Sequence, residues 1–307
     1  MRLAFVGQST FFEACALADG DTPWTTTFLE FRKGGDVERL RHQLDRFEPG
    51  AVVVFRPEVI DRGALTDLPC PTLGFLSEPI PRHGGHVTHE DLLRRLHELR
   101  DVDPTGFDRV VSFDPHIART ADDVLPIWRS APLPVADRYY APIPERSGPP
   151  RPLFVGRSTK HRERFLERAK HHYDVLHLAF GIDADGLEEA LRDHDVGINV
   201  HNEPYPSFEN RVCLHLAAAH LVLSEPLDPL HGLEPGIDFL EVHNGGQLEA
   251  ALWTMHRFPG LHHRIRVRGR RKAEQYRASA VWPRLVRDML RDVAALGGRR
   301  VREPSPV

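Results

Sequence analysis

The 307-residue sequence predicts two α/β domains facing each other across a cleft. Three observations carry that expectation. One signature, an apolar run ending in FVG-x-ST, occurs twice, as LAFVGQST at 3–10 and as LFVGRST at 153–159. Short apolar runs alternate with helix-spaced segments in both halves, the pattern of βαβ units. The length exceeds what one core usually organises, since domains of about 100–200 residues are the norm.

In the first half the runs LAFV (3–6), AVVVF (51–55), TLGFL (72–76) and RVVSF (109–113) are too short for helices and carry no polar alternation. Such runs suit strands buried on both faces of a parallel sheet. Between them, 36–47 places Val37, Leu40 and Leu44 on one side of a helix, and 89–100 has similar spacing. Right-handed crossovers between parallel strands then give an open, doubly wound, Rossmann-like sheet. From 131 to 153 the text becomes proline-dense and loses periodicity, which reads as a linker. The second half repeats the grammar, with strands at 152–156, 173–180, 196–201, 220–225 and 239–243. Helices are expected at 159–170, 185–193, about 209–219 and 246–257. The expected domains are 1–148 and 149–273, followed by a helical segment and tail over 274–307.

Composition excludes several classes. Hydrophobic residues at 41%, charged residues at 27% and a net charge of -4 describe an ordinary soluble globular chain without the basic footprint of a nucleic-acid binder. The basic run 264–272 reads as a solvated helix face, interrupted by Glu274 and Asp288. Cys15, Cys70 and Cys213 are odd in number, far apart and flanked by apolar residues, so buried reduced thiols are expected. No apolar leader opens the chain and no run approaches about 18 apolar residues, so a cytoplasmic protein with no transmembrane segment is expected.

Ligands of open parallel sheets bind outside the carboxyl ends of the strands. In the first half those ends offer Gly7, Gln8, Ser9, Arg56, Glu58, Glu78, His83, His86 and Asp114. In the second half GRSTKHR gives a turn at Gly156 and an N-cap from Ser158 or Thr159. A helix N-terminus there would present free N–H groups to an anion, with Arg157, Lys160 and Arg162 adding charge, as a diphosphate requires. An ordinary capped helix with a basic first turn is the competing reading. Further on, His201, Asn202, Glu203, Tyr205, Ser207, Glu209, Asn210 and Arg211 crowd the start of a small-residue helix. That placement brings a carboxylate and an amide to a sugar or ribose hydroxyl; helix capping and a local ion pair would be the plainer account.

The stretch NVHNEPYPSFENRVCLHLAAAHLVLSEPL, with GLEPGIDFLEV after it, resembles the donor-binding segment of group 1 glycosyltransferases of the GT-B fold, above all the branch of CgeB-type spore-maturation proteins. Arg211, Val212, Leu216 and Ala217 match the family pattern. The carboxylate that contacts the donor ribose in that family falls on Leu214, and the family glycine on Ala219. Glu209 or His215 would then be the nearest substitutes for the ribose contact.

The resemblance implies a transferase moving a sugar, of hexosyl type, from a nucleotide diphospho-sugar to an acceptor. The second domain would hold the donor, the first the acceptor, and a C-terminal helix within 274–296 would cross back to the first. No Asp-x-Asp is evident, so a metal-independent reaction without a cofactor is expected, Arg157, Lys160 and the helix dipole stabilising the departing diphosphate. His83, His86 and His89 in RHGGHVTH are read as a flexible loop and not as a metal site. Glu78, Asp114, His83 and Glu58 are the candidate bases toward the acceptor. A nucleotide-sugar epimerase of the same fold, or a silent two-domain binding protein, are the competing functions.

Overall fold

The computed structural model describes residues 1–84, 89–143, 148–179 and 182–298. Among the described residues eleven strands occur, in the order β1 (Arg2–Gly7), β2 (Thr25–Glu30), β3 (Ala51–Phe55), β4 (Thr72–Leu76), β5 (Arg109–Ser112), β6 (Arg129–Ser130), β7 (Pro152–Val155), β8 (Leu176–Leu178), β9 (Val196–Asn199), β10 (Leu221–Ser224) and β11 (Leu240–Glu241). The helices are α1 (Ser9–Phe12), α2 (Val37–Phe47), α3 (Glu90–Arg100), α4 (Ala118–Ala121), α5 (Lys160–His172), α6 (Ala184–Asp193), α7 (Arg211–Ala217), α8 (Gly245–Arg257), α9 (His263–Lys272) and α10 (Ala278–Leu296). They form two compact units, Met1–Pro132 with the segment from Ala278 onward, and Leu133–Arg277.

In the first unit the sheet order is β2-β1-β3-β4-β5-β6, and every pairing is parallel. All five residues of β3 are fully buried, as an unbroken apolar run between two covered faces must be. One face carries Leu40 and Leu44 of α2 and Leu99 of α3 against Val52 and Val54. On Phe5, Phe55 and Phe75 lies Trp282 of α10, its ring edge-on to all three at 5.2, 5.8 and 6.2 Å. The Trp282 indole N–H donates to the Cys15 carbonyl (2.8 Å), which satisfies the one polar group on that buried ring.

The repeated signature has different consequences in its two places. After β7 it opens a 13-residue helix, whereas after β1 it gives the single turn of α1 and a 3₁₀ turn at Glu13–Cys15. Gln8 makes no side-chain cap, and the Ser9 amide is held by the Glu30 carboxylate of β2 instead (2.7 Å). β2 is a strand that the apolar-run criterion passes over, because TTTFLE is an edge strand with only Leu29 fully buried.

The second unit has the parallel order β11-β10-β9-β7-β8. Its core packs Phe165, Leu166 and Ala169 of α5 and Leu248 and Leu252 of α8 on Phe154, Val196, Ile198 and Leu223. The proline-dense stretch is not a free linker over 133–143. Val135 bonds to the Tyr276 carbonyl, Ala141 to that of Ala217, and the Tyr140 ring lies between the guanidiniums of Arg277 (3.8 Å) and Arg270 (5.0 Å). All three cysteines are buried and none is in a disulfide. Among the described residues no helix is long and apolar enough to cross a membrane.

Candidate functional site

In the second unit β7 stands between β8 and β9, so the chain leaves β7 to one side for β8 and crosses to the other for β9. The crevice of a doubly wound sheet opens at that switch point, between the loops following β7 and β9. Those loops are stitched together: the Thr159 hydroxyl donates to the Asn202 carbonyl (2.8 Å) and Arg157 Nε to Asn202 Oδ1 (2.9 Å). Thr159 also caps α5 by accepting the Arg162 amide (3.3 Å), and its carbonyl takes the Glu163 amide. The amides of Lys160 and His161, at the first positions of the helix, therefore have no backbone partner, and the side chains of Arg157 and Lys160 beside them are exposed. Of the two expected caps it is Thr159 that acts, while Ser158 donates to Glu163 (2.6 Å).

Below this rim two arginines are buried, Arg162 at 2% and Arg211 at 8% exposure, both over the Phe154 ring at 5.3 and 5.2 Å. Arg162 donates to the carbonyls of Val200 (3.0 Å), His201 (3.1 Å) and Arg157 (3.0 Å). Arg211 donates to Asn199 Oδ1 and the Val200 carbonyl, both at 3.0 Å. The Glu209 carboxylate lies between them, 3.1 Å from Arg211 and 3.5 Å from Arg162. Burial, with Arg211 and Arg157 adding repulsion, pushes the Arg162 pKa down to about 9, and burial lowers that of Arg211 against the pull of Glu209. Gly156 allows this packing: a Cβ there would stand 3.0 Å from Arg211 Nη2 and 3.2 Å from Arg162 Nη1, at a φ of +156°. Arg162, expected at the rim, instead ties three backbone carbonyls together.

Glu225, which strand-end reasoning passed over inside SEPL, stands directly after β10 at 8% exposure. Its carboxylate accepts the His201 amide (2.6 Å) and His161 Nε2 (2.9 and 3.1 Å). The rule that singled out the other strand ends applies to it equally. His201 donates from Nε2 to the Pro226 carbonyl (2.9 Å), which leaves Nδ1 as a buried lone pair without a partner. Burial lowers the pKa of His201, so it is neutral at pH 7. Asn202 Nδ2 is also buried and unpartnered. Ser207 is buried in a bridge to Leu227, and Asn210 precedes α7 without capping it by its side chain.

His215, an expected donor contact, lies elsewhere. It is fully buried against Gly197 in the middle of β9, and its Nδ1 is 3.0 Å from Nδ1 of His220 at the opening end of β10. His220 Nε2 donates to the Leu191 carbonyl (2.7 Å), so its Nδ1 is the acceptor and His215 the donor. Helical periodicity turns His215 onto the sheet face, four residues and about one turn from Arg211. It is a core residue.

In the first unit the switch point falls between β1 and β3. Gly7, Gln8 and Ser9 follow β1; Arg56 and Glu58 follow β3. A Cβ at Gly7 would lie 3.1 Å from that of Phe55. Arg56, at φ +61°, donates from Nε to Glu58 (2.8 Å) and lies 3.8 Å from Glu78, which pairs with Arg95 (3.0 Å). Burial raises the Glu58 pKa against the opposing charge of Arg56. Asp114 is 3% exposed and occupied on both oxygens, by Arg82 Nε and by the His116 amide, each at 2.8 Å. It serves as the cap of a 3₁₀ turn, not as an open base. His83 is exposed; His86 lies outside the described residues, and His89 caps α3 by accepting the Asp91 amide. Among the described residues no three His, Cys, Asp or Glu side chains gather as a metal site.

Solved structures match almost the whole chain. AviGT4, a glycosyltransferase involved in avilamycin A biosynthesis, aligns with a TM-score of 0.61 at 12% identity over 98% of this chain and 100% of its own. A sucrose-phosphate synthase from Thermosynechococcus elongatus gives 0.61 at 11% identity, over 96% and 100%. Anabaena HepE, in complex with UDP and glucose, gives 0.57 at 12% identity, over 95% and 100%. No family model matches the chain, and no curated protein matches it in sequence. At such identities the likeness is one of fold: two parallel-sheet α/β domains of the kind found in GT-B glycosyltransferases.

Proposed function

We propose that the protein is a glycosyltransferase of the CgeB-like branch that takes a hexosyl group from a nucleotide diphospho-sugar without a metal ion. The observation that carries this reading is the junction of β7, β9 and α5, where two unpaired helix amides stand beside the exposed cations of Arg157 and Lys160. An anion is stabilised there by the helix dipole and by charge-assisted hydrogen bonds. As the bond from the sugar to the diphosphate breaks, charge develops on the departing oxygens, and fixed donors at that point lower the barrier.

Leu214 supplies no carboxylate and His215 is in the core, so Glu209 is the remaining candidate for the ribose hydroxyls, with Asn202 and His201 beside it. Toward the acceptor, Glu78 and His83 are the candidate bases that solvent reaches, Glu78 being 29% exposed in its side chain. Replacing the true base would lower turnover by about 10²–10⁴-fold and leave donor affinity unchanged. Glu78→Gln and His83→Ala, compared in turnover and in donor binding, separate the two.

The first experiment is a thermal-shift series with UDP, GDP, dTDP and ADP, free and as sugar conjugates, since a ligand of the native state raises its midpoint. UDP leads the series because HepE carries UDP and glucose. A selective rise for one nucleotide is the expected result, and sugar transfer that persists in EDTA would support the absence of a metal. No rise with any nucleotide at millimolar concentration would sink the reading.

A further inference from the structure

We propose that the second unit holds a separate binding site for a small organic monocarboxylate, at the opening ends of β9 and β10, away from the β7–β9 rim. A cavity of about 250 Å³ lies there, lined by Asp195, Val196, Leu221, Met255, His262, His263 and Arg266 among others. Val196 and Leu221 are the first residues of β9 and β10, so this cavity sits at the opposite ends of the strands from Asn199 and Ser224.

Three features of it call for an anion. Arg266 is 7% exposed, and its Nε is buried without a partner. Its guanidinium donates from Nη2 to the Asp195 carbonyl, at a long 3.3 Å. The Asp195 carboxylate is 3.6 Å from the guanidinium and already accepts the Arg151 amide at 2.7 Å, so the buried charge is poorly compensated. The second feature is α9 itself, a ten-residue helix that begins at this cavity. It has no side-chain cap and no acidic residue in its first turn. The His263 amide bonds to Gly260 and the Arg266 amide to His262, which leaves those of Arg264 and Ile265 for an incoming anion.

The third is the division of the wall. Val196, Leu221 and Met255 form an apolar side, while Arg266, His262 and His263 gather at the helix start. A carboxylate on a small apolar body matches both parts, and the nearby Asp195 disfavours a dianion such as phosphate. Burial lowers the pKa of His262, so that ring is a neutral hydrogen-bonding group at pH 7.

The test uses the full chain and benzoate as the probe, with benzyl alcohol as its uncharged counterpart and inorganic phosphate as the dianion control. At roughly tenfold excess over its dissociation constant, benzoate is expected to raise the melting midpoint by about 2–4 °C. Benzyl alcohol and phosphate are expected to leave it unchanged. His263→Glu places a competing carboxylate on the exposed first turn of α9 and is expected to abolish the response with the fold intact; Arg266→Met is expected to do the same. No rise with benzoate, an equal rise with benzyl alcohol, or a rise that survives His263→Glu would each overturn the proposal. Because His263→Glu lies on the exposed surface, the outcome does not depend on whether Arg266→Met folds.

Discussion

Position decides what a cation does in the second unit. Arg157 and Lys160 are exposed beside two unpaired amides, whereas Arg162 and Arg211 are buried and fully engaged by carbonyls, Asn199 and Glu209. The double variant Arg157→Ala with Lys160→Ala is expected to cost about 1 kcal/mol of stability, for the bond from Arg157 to Asn202 that joins the two loops. It removes two charge-assisted bonds worth about 1.5 kcal/mol or more each, so nucleotide diphosphate affinity should fall roughly 100-fold by calorimetry. Arg211→Ala should do the reverse of that pattern. It leaves Glu209 facing a cavity and strips Asn199 of its donor, and breaking a buried pair from one side costs about 3–5 kcal/mol. Urea unfolding reads that loss directly; an Arg211→Ala protein as stable as the parent would mean that these contacts do not hold the loop after β9.

The helix α7 and the strands it covers explain both what the sequence made legible and what it hid. His215 and His220 form a neutral pair, since burial pushes His220 down to about 4, with His194, Arg266 and Arg151 adding to the effect, and holds His215 well below 6.5. The unfolded chain takes up these protons as pH falls through 6.5, and the folded chain does not. Stability is therefore full above pH 6.5 and is lost between 6.5 and about 4, by roughly 3 kcal/mol for His220 alone. Urea midpoints at pH 7.5, 6 and 5 should fall in that order, and less steeply in His220→Gln; a flat series would remove the neutral pair. Unbroken runs such as AVVVF announced the central strands because burial on both faces leaves no polar alternation to misread. The edge strand β2 escaped the same criterion, being half solvent-facing. At the site, strand ends were legible as places, but how deep over the sheet each turn of α7 sits was not. Arg211 and His215 look equivalent in the text, yet one packs on Phe154 beneath the rim and the other on Gly197. Whether a charge is exposed, as at Lys160, or buried, as at Arg162, depends on loops from elsewhere in the chain that cover it, and two-residue spacing carries no sign of them.

Across the whole molecule the chain starts in one unit, builds the other, and ends in the first with α10. That return has a single large anchor. Trp282 is fully buried on three phenylalanines, and ion pairs from Arg109 to Asp292 and from Arg129 to Asp288 (2.6 Å) fasten the helix further along. The core beneath belongs to β1, β3 and β4, while the β7–β9 rim proposed above for a nucleotide lies within Leu133–Arg277. Trp282→Ala should therefore weaken the first unit by about 3–5 kcal/mol, the usual range for truncating a buried tryptophan. Scanning calorimetry with and without the binding nucleotide tells the units apart, because only the transition of the unit that holds the ligand rises with it. In the variant, the nucleotide-insensitive transition is expected to move to lower temperature and the nucleotide-sensitive one to stay in place. If both moved together, the seat of α10 would be supporting the second unit as well, and the ligand site could not be treated as the property of residues 133–277 alone.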